Sequence, residues 1–369
     1  MIIQYGLATK CFWAKQRTAA WKSTIPALLA VLALLITLDD VDAHSALLQT
    51  DRRLSAAIDR ALQEEVGKGF SGAVLVARGS SKILDKAYGS VRGVPVRTNT
   101  RFWIASGGKQ FTSAAILKCQ EKGWLRLDDP ITRFFPNAPA DKRTITVRQL
   151  LSHLSGLGQS YASEGVSDRQ TAVKRMLDEP LIDTPGKKFQ YSNSNYQLAV
   201  AIVEVASGRS YRDFVVDQLW RPAGLQGTGF SGDAGASSVA PAREETPARL
   251  AKPSWGGEGV YSTTHDLLRW YRALRSGRIL SLKSVSQLFR PVTLIGEGQA
   301  ALGWFIGLTS KSAMRIFTRG NEDFGANGLI YAYPDTNTVI VVLTHAGQAN
   351  DEMSWSRLAH AKIEKLMLL

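Results

Sequence analysis

A serine and a lysine three residues apart could form a nucleophile and its proton acceptor. Ser106-Gly107-Gly108-Lys109 is the only S-x-x-K in the chain and opens a stretch with helical character. Side chains three positions apart lie on one face of a helix, with about 5–6 Å between Cβ atoms. Lysine is protonated at neutral pH, but burial and a nearby cation favour its neutral form. A neutral Lys109 could accept the proton of Ser106 and so activate its oxygen. A helix-capping serine beside a solvated lysine is the alternative interpretation.

A second motif could complete the proton transfers. Tyr191-Ser192-Asn193 is the only Y-x-N in the chain, and it precedes an apolar helical pattern. A loop tyrosine beside a serine and a lysine can exchange protons with a leaving group. A loop asparagine can donate a hydrogen bond to a substrate carbonyl. The simpler alternative is a tyrosine that anchors a turn.

Together these motifs resemble a family of serine hydrolases related to class C β-lactamases and D-alanyl-D-alanine peptidases, which includes esterases. The resemblance extends from about Phe70 to Thr344. Its segments are residues 102–112, 127–130, 145–157, Pro185-Gly186, residues 191–193, residues 259–263 and Leu302-Gly303-Trp304. The resemblance implies a β-lactamase/DD-peptidase-like fold and an acyl-enzyme mechanism on an amide, β-lactam or ester. It makes Ser106 the acylated nucleophile, Lys109 its proton partner and Tyr191 the acid/base, with Asn193 helping to bind the substrate.

The third motif of that family, a strand reading Lys/His-Thr/Ser/Gly-Gly, is altered here. The chain has Phe317-Thr318-Arg319-Gly320-Asn321 at this place. One register puts Thr318 at the cationic position, and the other puts Arg319 there with Gly320 next. Spacing to Pro334-Asp335 slightly favours Arg319. We therefore predict Arg319 and Gly320 as substrate-binding residues, with Arg319 supplying a fixed charge to Lys109 or to a substrate carboxylate.

Two features leave a non-catalytic relative open. Gly107 and Gly108 stand where the family usually has a small hydroxyl residue before the lysine, and each glycine costs a helix about 1 kcal/mol relative to alanine. With the altered third motif, this suggests as an alternative a module on the same fold that binds cell-wall ligands without turnover. His153 lies in a segment that the resemblance treats as structural, so we do not expect it to be catalytic. The sequence has no HExxH, P-loop or dinucleotide-binding fingerprint, and we expect neither cofactor nor metal.

The elements that must position these residues come from both ends of the chain. Strands are predicted at 70–77, 82–88, 302–308, 314–319, 328–333 and 338–344, with helices at 52–66 and 350–368. Their short connections favour antiparallel neighbours. Residues 106–294 contain several helical patterns, including Leu198 to Val205 before Gly208 and Leu267 to Leu274 before Gly277. The sequence thus predicts an α/β (α+β) domain over residues 50–369, with an antiparallel sheet from about 50–105 and 295–369 and a mostly helical middle insertion.

Composition and the amino-terminal segment limit the class of protein, its partners and its cellular location. Hydrophobic residues make up 44% and charged residues 21%, which excludes a disordered chain, a collagen or a long coiled coil. The net charge of +13 is spread along the chain without a run of five Lys or Arg, so we expect no nucleic-acid partner. A basic stretch, an apolar run at 26–38 and Val41-Asp42-Ala43 predict a signal peptide over residues 1–43. An uncleaved membrane anchor is the alternative. Cleavage would leave Cys119 as the single cysteine, without a disulfide partner.

Export is therefore expected, to the periplasm or the medium. Because small residues end the apolar run, mass spectrometry of the protein from its native host should show an amino terminus near His44. An intact Met1 terminus in the membrane fraction would contradict cleavage and support the anchor.

Overall fold

The computed structural model describes residues 49–160, 162, 163, 166, 168–240, 259–296, 298–321 and 325–367. The chain divides into two compact units, Met1–Ser55 and Ala56–Leu369. The described part of the first unit, residues 49–55, is helical. The second unit contains every strand named below. The predicted signal segment and Cys11 lie outside the described residues.

An eight-stranded antiparallel sheet joins the two ends of the second unit. Its strand order is β2-β1-β13-β12-β11-β10-β9-β8. Strand β1 pairs with β13 over its whole length, from Gly72 opposite Thr344 to Arg78 opposite Thr338. The strands are β1 (Gly72–Arg78), β2 (Ser81–Tyr88), β8 (Thr293–Ile295), β9 (Gly298–Ala300), β10 (Phe305–Leu308), β11 (Met314–Asn321), β12 (Asn327–Tyr333) and β13 (Thr338–Thr344). The predicted sheet from both chain ends is confirmed, whereas β8 and β9 were not predicted.

Two smaller sheets complete the strands. Strands β3 (Ser90–Val91) and β4 (Val94–Pro95) form a hairpin. A three-stranded sheet has the order β5-β7-β6, with β5 (Phe102–Trp103), β6 (Gly229–Phe230) and β7 (Val260–Ser262). The pairing of β5 with β7 fixes the segment that leads directly into residue 106.

The middle of the chain is mostly helical, as predicted. Helix α1 covers residues 49–66. The others are α2 (Lys109–Glu121), α3 (Val147–Leu151), α4 (Arg169–Asp178), α5 (Asn193–Ser207), α6 (Tyr211–Val215), α7 (Arg221–Ala223), α8 (Thr264–Arg275), α9 (Leu282–Leu288) and α10 (Trp355–Met367). A π-helical turn, Val216–Trp220, joins α6 to α7, and a 3-10 turn, Ala105–Gly108, precedes α2.

The predicted helix ends follow from their capping residues. Gly208 ends α5 in the left-handed conformation, with φ 67°, where a residue with a Cβ would be strained. Thr263 caps α8 by accepting a hydrogen bond from the Asp266 N–H at 3.1 Å. Gly277 follows α8 with φ 74°.

Helix α2 lies at the centre of the hydrophobic core. Its Phe111 is fully buried and meets Trp220 and Trp270 edge-on, with centroids 5.2 and 4.7 Å away. Cys119 on the same helix is a free, buried thiol, and burial raises its pKa to about 12. The core thus holds the helix that contains Lys109 from several sides.

Helix α10 is fixed to the sheet by a partly buried network of polar side chains. The Tyr333 hydroxyl lies 2.7 Å from His360 Nε2 and donates to Glu364 Oε1 at 2.8 Å. Arg315 donates to both oxygens of Glu364, at 2.9 and 3.1 Å. The His360 ring stacks on Tyr331 with centroids 3.7 Å apart. Burial, and then the charge of Arg315, lowers the pKa of His360 to about 3.

The buried His360 in this network predicts that the folding stability decreases in acid. Since the folded state holds His360 neutral while the unfolded imidazole binds a proton below pH 6.5, stability should fall as the pH falls from about 6.5 towards 3. Between pH 7 and pH 5, His360 should lower the free energy of unfolding by about 2 kcal/mol. Denaturant unfolding at both pH values should therefore show a pH dependence smaller by about that amount in His360→Phe. Equal pH dependence in the two proteins would contradict the assignment.

Candidate active site

The turn before α2 places Ser106 and Lys109 on one side of a short helical segment. The Gly107 N–H donates to the carbonyl oxygen of Ile104 at 2.9 Å and closes the turn. Gly108 has φ −63° and ψ −24°, an ordinary helical backbone, so the turn runs directly into α2. The two glycines therefore lie within a hydrogen-bonded turn that continues into α2, rather than at a break before the lysine.

The side chains of Lys109 and Tyr191 both contact the hydroxyl oxygen of Ser106. Lys109 Nζ lies 2.9 Å from Ser106 Oγ, and the Tyr191 hydroxyl lies 2.7 Å from the same atom. Lys109 also donates to Asn193 Oδ1 at 2.8 Å. Lys109 is only 3% exposed. A proton that leaves Ser106 thus has two possible acceptors within hydrogen-bond distance.

The Tyr191 loop is held by the start of α5 and by the loop after α3. Ser192 donates through its hydroxyl to the carbonyl oxygen of Gly158 at 2.8 Å. The Asn193 N–H donates to Gln159 Oε1 at 2.9 Å. Lys109 Nζ lies 5.0 Å from the Tyr191 ring centroid, so the amine also faces this aromatic ring. Helices α2 and α5 therefore bring the two sequence motifs together.

His153 is buried next to this loop. Its Nδ1 accepts the backbone N–H of Ser192 at 3.2 Å, and its ring stacks on Tyr191 with centroids 4.4 Å apart. Burial, and then the charge of Lys109, lowers its pKa well below the usual range. The imidazole thus bonds to the loop backbone through Nδ1. Sequence reasoning identified the segment but not these contacts.

Strand β11 presents its altered motif on two faces. Thr318, only 2% exposed, and Gly320 lie on the buried face, and Arg319 lies on the exposed face. An added Cβ at Gly320 would clash with the carbonyl oxygen of Ile104 and lie 2.6 Å from Ser106 N. The strand backbone therefore passes directly beside the nucleophile. This alternation puts Thr318, rather than Arg319, on the face that carries Gly320 towards Ser106.

Arg319 instead lines an open cleft of about 560 Å³, and Ser106 is one of the other residues that line it. Its guanidinium lies 5.8 Å from the Phe317 ring centroid. The cleft is also lined by Phe189, Tyr191, Ile295, Phe305, Gly320 and Asn321, and by a charged wall that consists of Gln348, Asp351, Glu352, Ser354, Ser356 and Arg357. The charged wall comes from the segment before α10 and its first turn, which no motif in the sequence indicated.

The described residues contain neither a cluster of metal ligands nor a helix suited to span a membrane. In the part of the chain that the structure describes, no three His, Cys, Asp or Glu side chains form a group able to hold a metal ion. The helices within the described ranges all fall short of the length and apolar character needed to cross a bilayer.

Comparison with known proteins gives a consistent set of matches. A model of the Beta-lactamase family matches residues 58–362. Penicillin-binding protein 4* of Bacillus subtilis is 29% identical over 311 residues, which cover 75% of this chain and 68% of the relative. Protein flp of Staphylococcus aureus (strain N315) is 27% identical over 314 residues, covering 78% of this chain and 62% of that protein. The chain thus spans about two thirds or less of the length of these curated relatives.

A solved structure matches the fold. The D-amino acid amidase from Ochrobactrum anthropi SV3, complexed with L-phenylalanine, superposes with a TM-score of 0.74 at 21% identity. The match covers 86% of this chain and 98% of the amidase. The predicted β-lactamase/DD-peptidase-like fold is confirmed.

The close approach at Gly320 gives a prediction with a matched control. In Gly320→Ala the new methyl group would meet backbone atoms of Ile104 and Ser106, which cannot rotate away. We expect a loss of about 1–3 kcal/mol in unfolding free energy. We also expect at least about tenfold slower labelling of Ser106 by a fluorophosphonate, since the turn must shift.

Gly307→Ala on the neighbouring β10 is the control, because an added Cβ there would lie 3.4 Å from Arg315 Nε and 3.6 Å from the Phe317 ring, which are ordinary contact distances. Its stability and labelling rate should stay near those of the unmodified protein. Similar behaviour of the two variants would show that β11 does not lie as close to Ser106 as described.

Proposed function

The chain belongs to the Beta-lactamase family of serine hydrolases, and from this membership and the geometry around Ser106 we propose that it hydrolyses an amide, β-lactam or ester through an acyl-enzyme. The observation that supports this most directly is the position of Ser106 Oγ, 2.9 Å from Lys109 Nζ and 2.7 Å from the Tyr191 hydroxyl. A nucleophile with a proton acceptor in reach is the arrangement that acyl transfer requires. The family match and the relatives named above as a penicillin-binding protein and an amidase agree with this chemistry.

In the acylation step, Ser106 Oγ attacks the substrate carbonyl carbon as its proton passes to Lys109 or Tyr191. The new oxyanion would be stabilised by the backbone N–H groups of Ser106 and of β11 beyond Arg319. Removing one such donor typically costs about 3–4 kcal/mol of transition-state stabilisation. The close packing at Gly320 supports this role, because it brings the β11 backbone beside Ser106 N. The carbon–nitrogen or carbon–oxygen bond then breaks, and the leaving group takes the proton.

In the deacylation step, a water molecule replaces the leaving group. The same basic groups accept its proton as its oxygen attacks the ester carbon of the acylated Ser106. The bond to Oγ breaks, and Oγ recovers a proton as the acid product leaves. Ser106 is only partly buried and lines the cleft of about 560 Å³, which leaves room for this water.

Substrate binding is proposed to involve Asn193 and Arg319. Asn193 accepts a hydrogen bond from Lys109, and its side-chain amide would donate to the substrate amide or ester. Arg319 on the exposed face of β11 would attract a substrate carboxylate in the cleft, since its fork can donate two parallel hydrogen bonds. Gly320 contributes by leaving space beside Ser106 rather than by contact of a side chain.

The reaction is proposed to take place outside the cytoplasm. This rests on the basic and apolar segments at 1–43, which have the order of a secretory signal.

Replacement of the nucleophile tests the proposal. Ser106→Ala should abolish covalent labelling by a fluorophosphonate or labelled penicillin, because the hydroxyl that contacts both Lys109 and Tyr191 is lost. Hydrolysis should fall at least about 1,000-fold across a panel of β-lactams, D-amino acid peptides and small esters. Ser237→Ala, on the exposed 3-10 turn Ala234–Ser238, is the control and should behave like the unmodified protein.

Two outcomes would contradict this assignment. A Ser106→Ala variant that keeps most of its turnover would place the nucleophile elsewhere. A native protein that binds these ligands but neither labels nor hydrolyses them would support the non-catalytic binding module.

A further inference from the structure

His153 contacts Tyr191 and both of its chain neighbours. The Gln190 N–H donates to the carbonyl oxygen of His153 at 2.8 Å. The Ser192 N–H donates to the ring nitrogen Nδ1 at 3.2 Å. Between these two bonds, the ring lies against Tyr191, with centroids 4.4 Å apart and an interplanar angle of 27°. One residue thus fixes the backbone before and after Tyr191 and the face of its ring.

The His153 ring is itself held in place. The Asn195 amide lies 3.3 Å from the same Nδ1, and Ser155 donates to Asn195 Oδ1 at 2.6 Å. Phe189 meets the ring edge-on at 5.6 Å. A nitrogen that accepts the Ser192 N–H has no proton of its own, so Asn195 donates to it as well. Burial and the Lys109 charge, which lower the pKa of His153, agree with a neutral ring.

The backbone conformation restricts which residues can stand at this place. His153 has φ 57°, in the left-handed region, where Asn, Asp and His occur more often than other non-glycine residues. The residue must also provide an acceptor for Ser192 and a flat surface for Tyr191. Histidine meets all three requirements, whereas asparagine keeps the conformation and the acceptor, and phenylalanine keeps only the flat ring.

We propose that His153 is a positioning residue that holds the Tyr191 hydroxyl on Ser106, an inference that rests on the proposed function. Tyr191 comes from a loop, and its hydroxyl must stay at 2.7 Å from Ser106 Oγ to exchange a proton. Displacement of a catalytic group by about 1 Å can cost about 100-fold in rate. His153 acts on this distance through Tyr191 and does not itself take the proton, because Nδ1 accepts the Ser192 N–H and Nε2 of the neutral ring already carries a proton.

The test compares His153→Phe and His153→Asn with the matched control His360→Phe, another buried histidine that stacks on a tyrosine, Tyr331. For one substrate, His153→Phe should lower kcat about 10- to 100-fold with little change in KM, measured well below its melting temperature. His153→Asn should recover kcat to within about tenfold of the native value, since an amide oxygen can replace Nδ1 as acceptor. His360→Phe should keep kcat within about threefold.

A double-mutant cycle with Tyr191→Phe shows whether the effect passes through the tyrosine. If it does, His153→Phe should lower kcat little further once the Tyr191 hydroxyl is gone. An equal loss in both backgrounds, or native kcat in His153→Phe, would overturn the inference.

Crystal structures of the variants separate this inference from the proposed function. A native protein without turnover or Ser106 labelling defeats the proposed function alone. Displacement of the Tyr191 hydroxyl beyond hydrogen-bond distance of Ser106 Oγ in His153→Phe would support the positioning role. An unchanged hydroxyl position in that variant would overturn it.

Discussion

The hydrogen bonds of Lys109 are the interaction on which the site depends. Its amine lies on a side chain that is 3% exposed, and a buried amine without partners would cost several kcal/mol. Ser106 and Asn193 supply those partners at 2.9 and 2.8 Å, and the rings of Tyr191 and Tyr196 face the amine at 5.0 and 5.7 Å. These groups come from the turn before α2 and from α5 with its preceding loop. The lysine thus requires that α2 and α5 meet at this point, and their meeting assembles the site.

The backbone approaches Ser106 and Lys109 closely at two glycines, which have no side chain to block the contact. Gly320 lets β11 pass beside Ser106, as described above. Gly303, with φ 71°, lies where an added Cβ would be 2.5 Å from Ser113 Oγ and 3.0 Å from the Lys109 carbonyl oxygen. Gly303 belongs to the segment Leu302-Gly303-Trp304, which carried part of the family resemblance, whereas Gly320 belongs to the altered third motif. Gly320 allows β11 to approach Ser106, and Gly303 allows its loop to approach Lys109 and Ser113 on α2.

The sequence predicted the parts of this arrangement that follow from local patterns. Apolar runs bounded by turn residues located most of the large sheet, whose strands β1, β12 and β13 are buried at nearly every position. Helix periodicity located α5 and α8. Short β8 and β9 were missed, since three residues are too few for a period to show. The sequence leaves the register of β11 open because the altered motif allows either Thr318 or Arg319 at the cationic position, with spacing slightly favouring Arg319. The strand continues to Asn321, so that Thr318 and Gly320 share a face. The charged wall of the cleft comes from residues 348–357, whose position depends on tertiary contacts rather than on a local pattern.

Two residues with a strained backbone lie beside the groups that are proposed to transfer protons. Five non-glycine residues of the described chain have positive φ, and three of them, Arg92, Ser312 and Asn337, lie in turns between strands. The other two are Ala105, with φ 49°, next to Ser106, and His153, with φ 57°, against Tyr191. Such conformations cost about 1–3 kcal/mol each and persist only where surrounding contacts hold them. Helical spacing fixes Lys109 relative to Ser106, but a loop tyrosine has no such spacing. Ala105 immediately precedes Ser106, and His153 packs on Tyr191, so one strained residue lies on each side of the hydrogen bond between Ser106 Oγ and the Tyr191 hydroxyl. The packing of the core maintains both strained conformations.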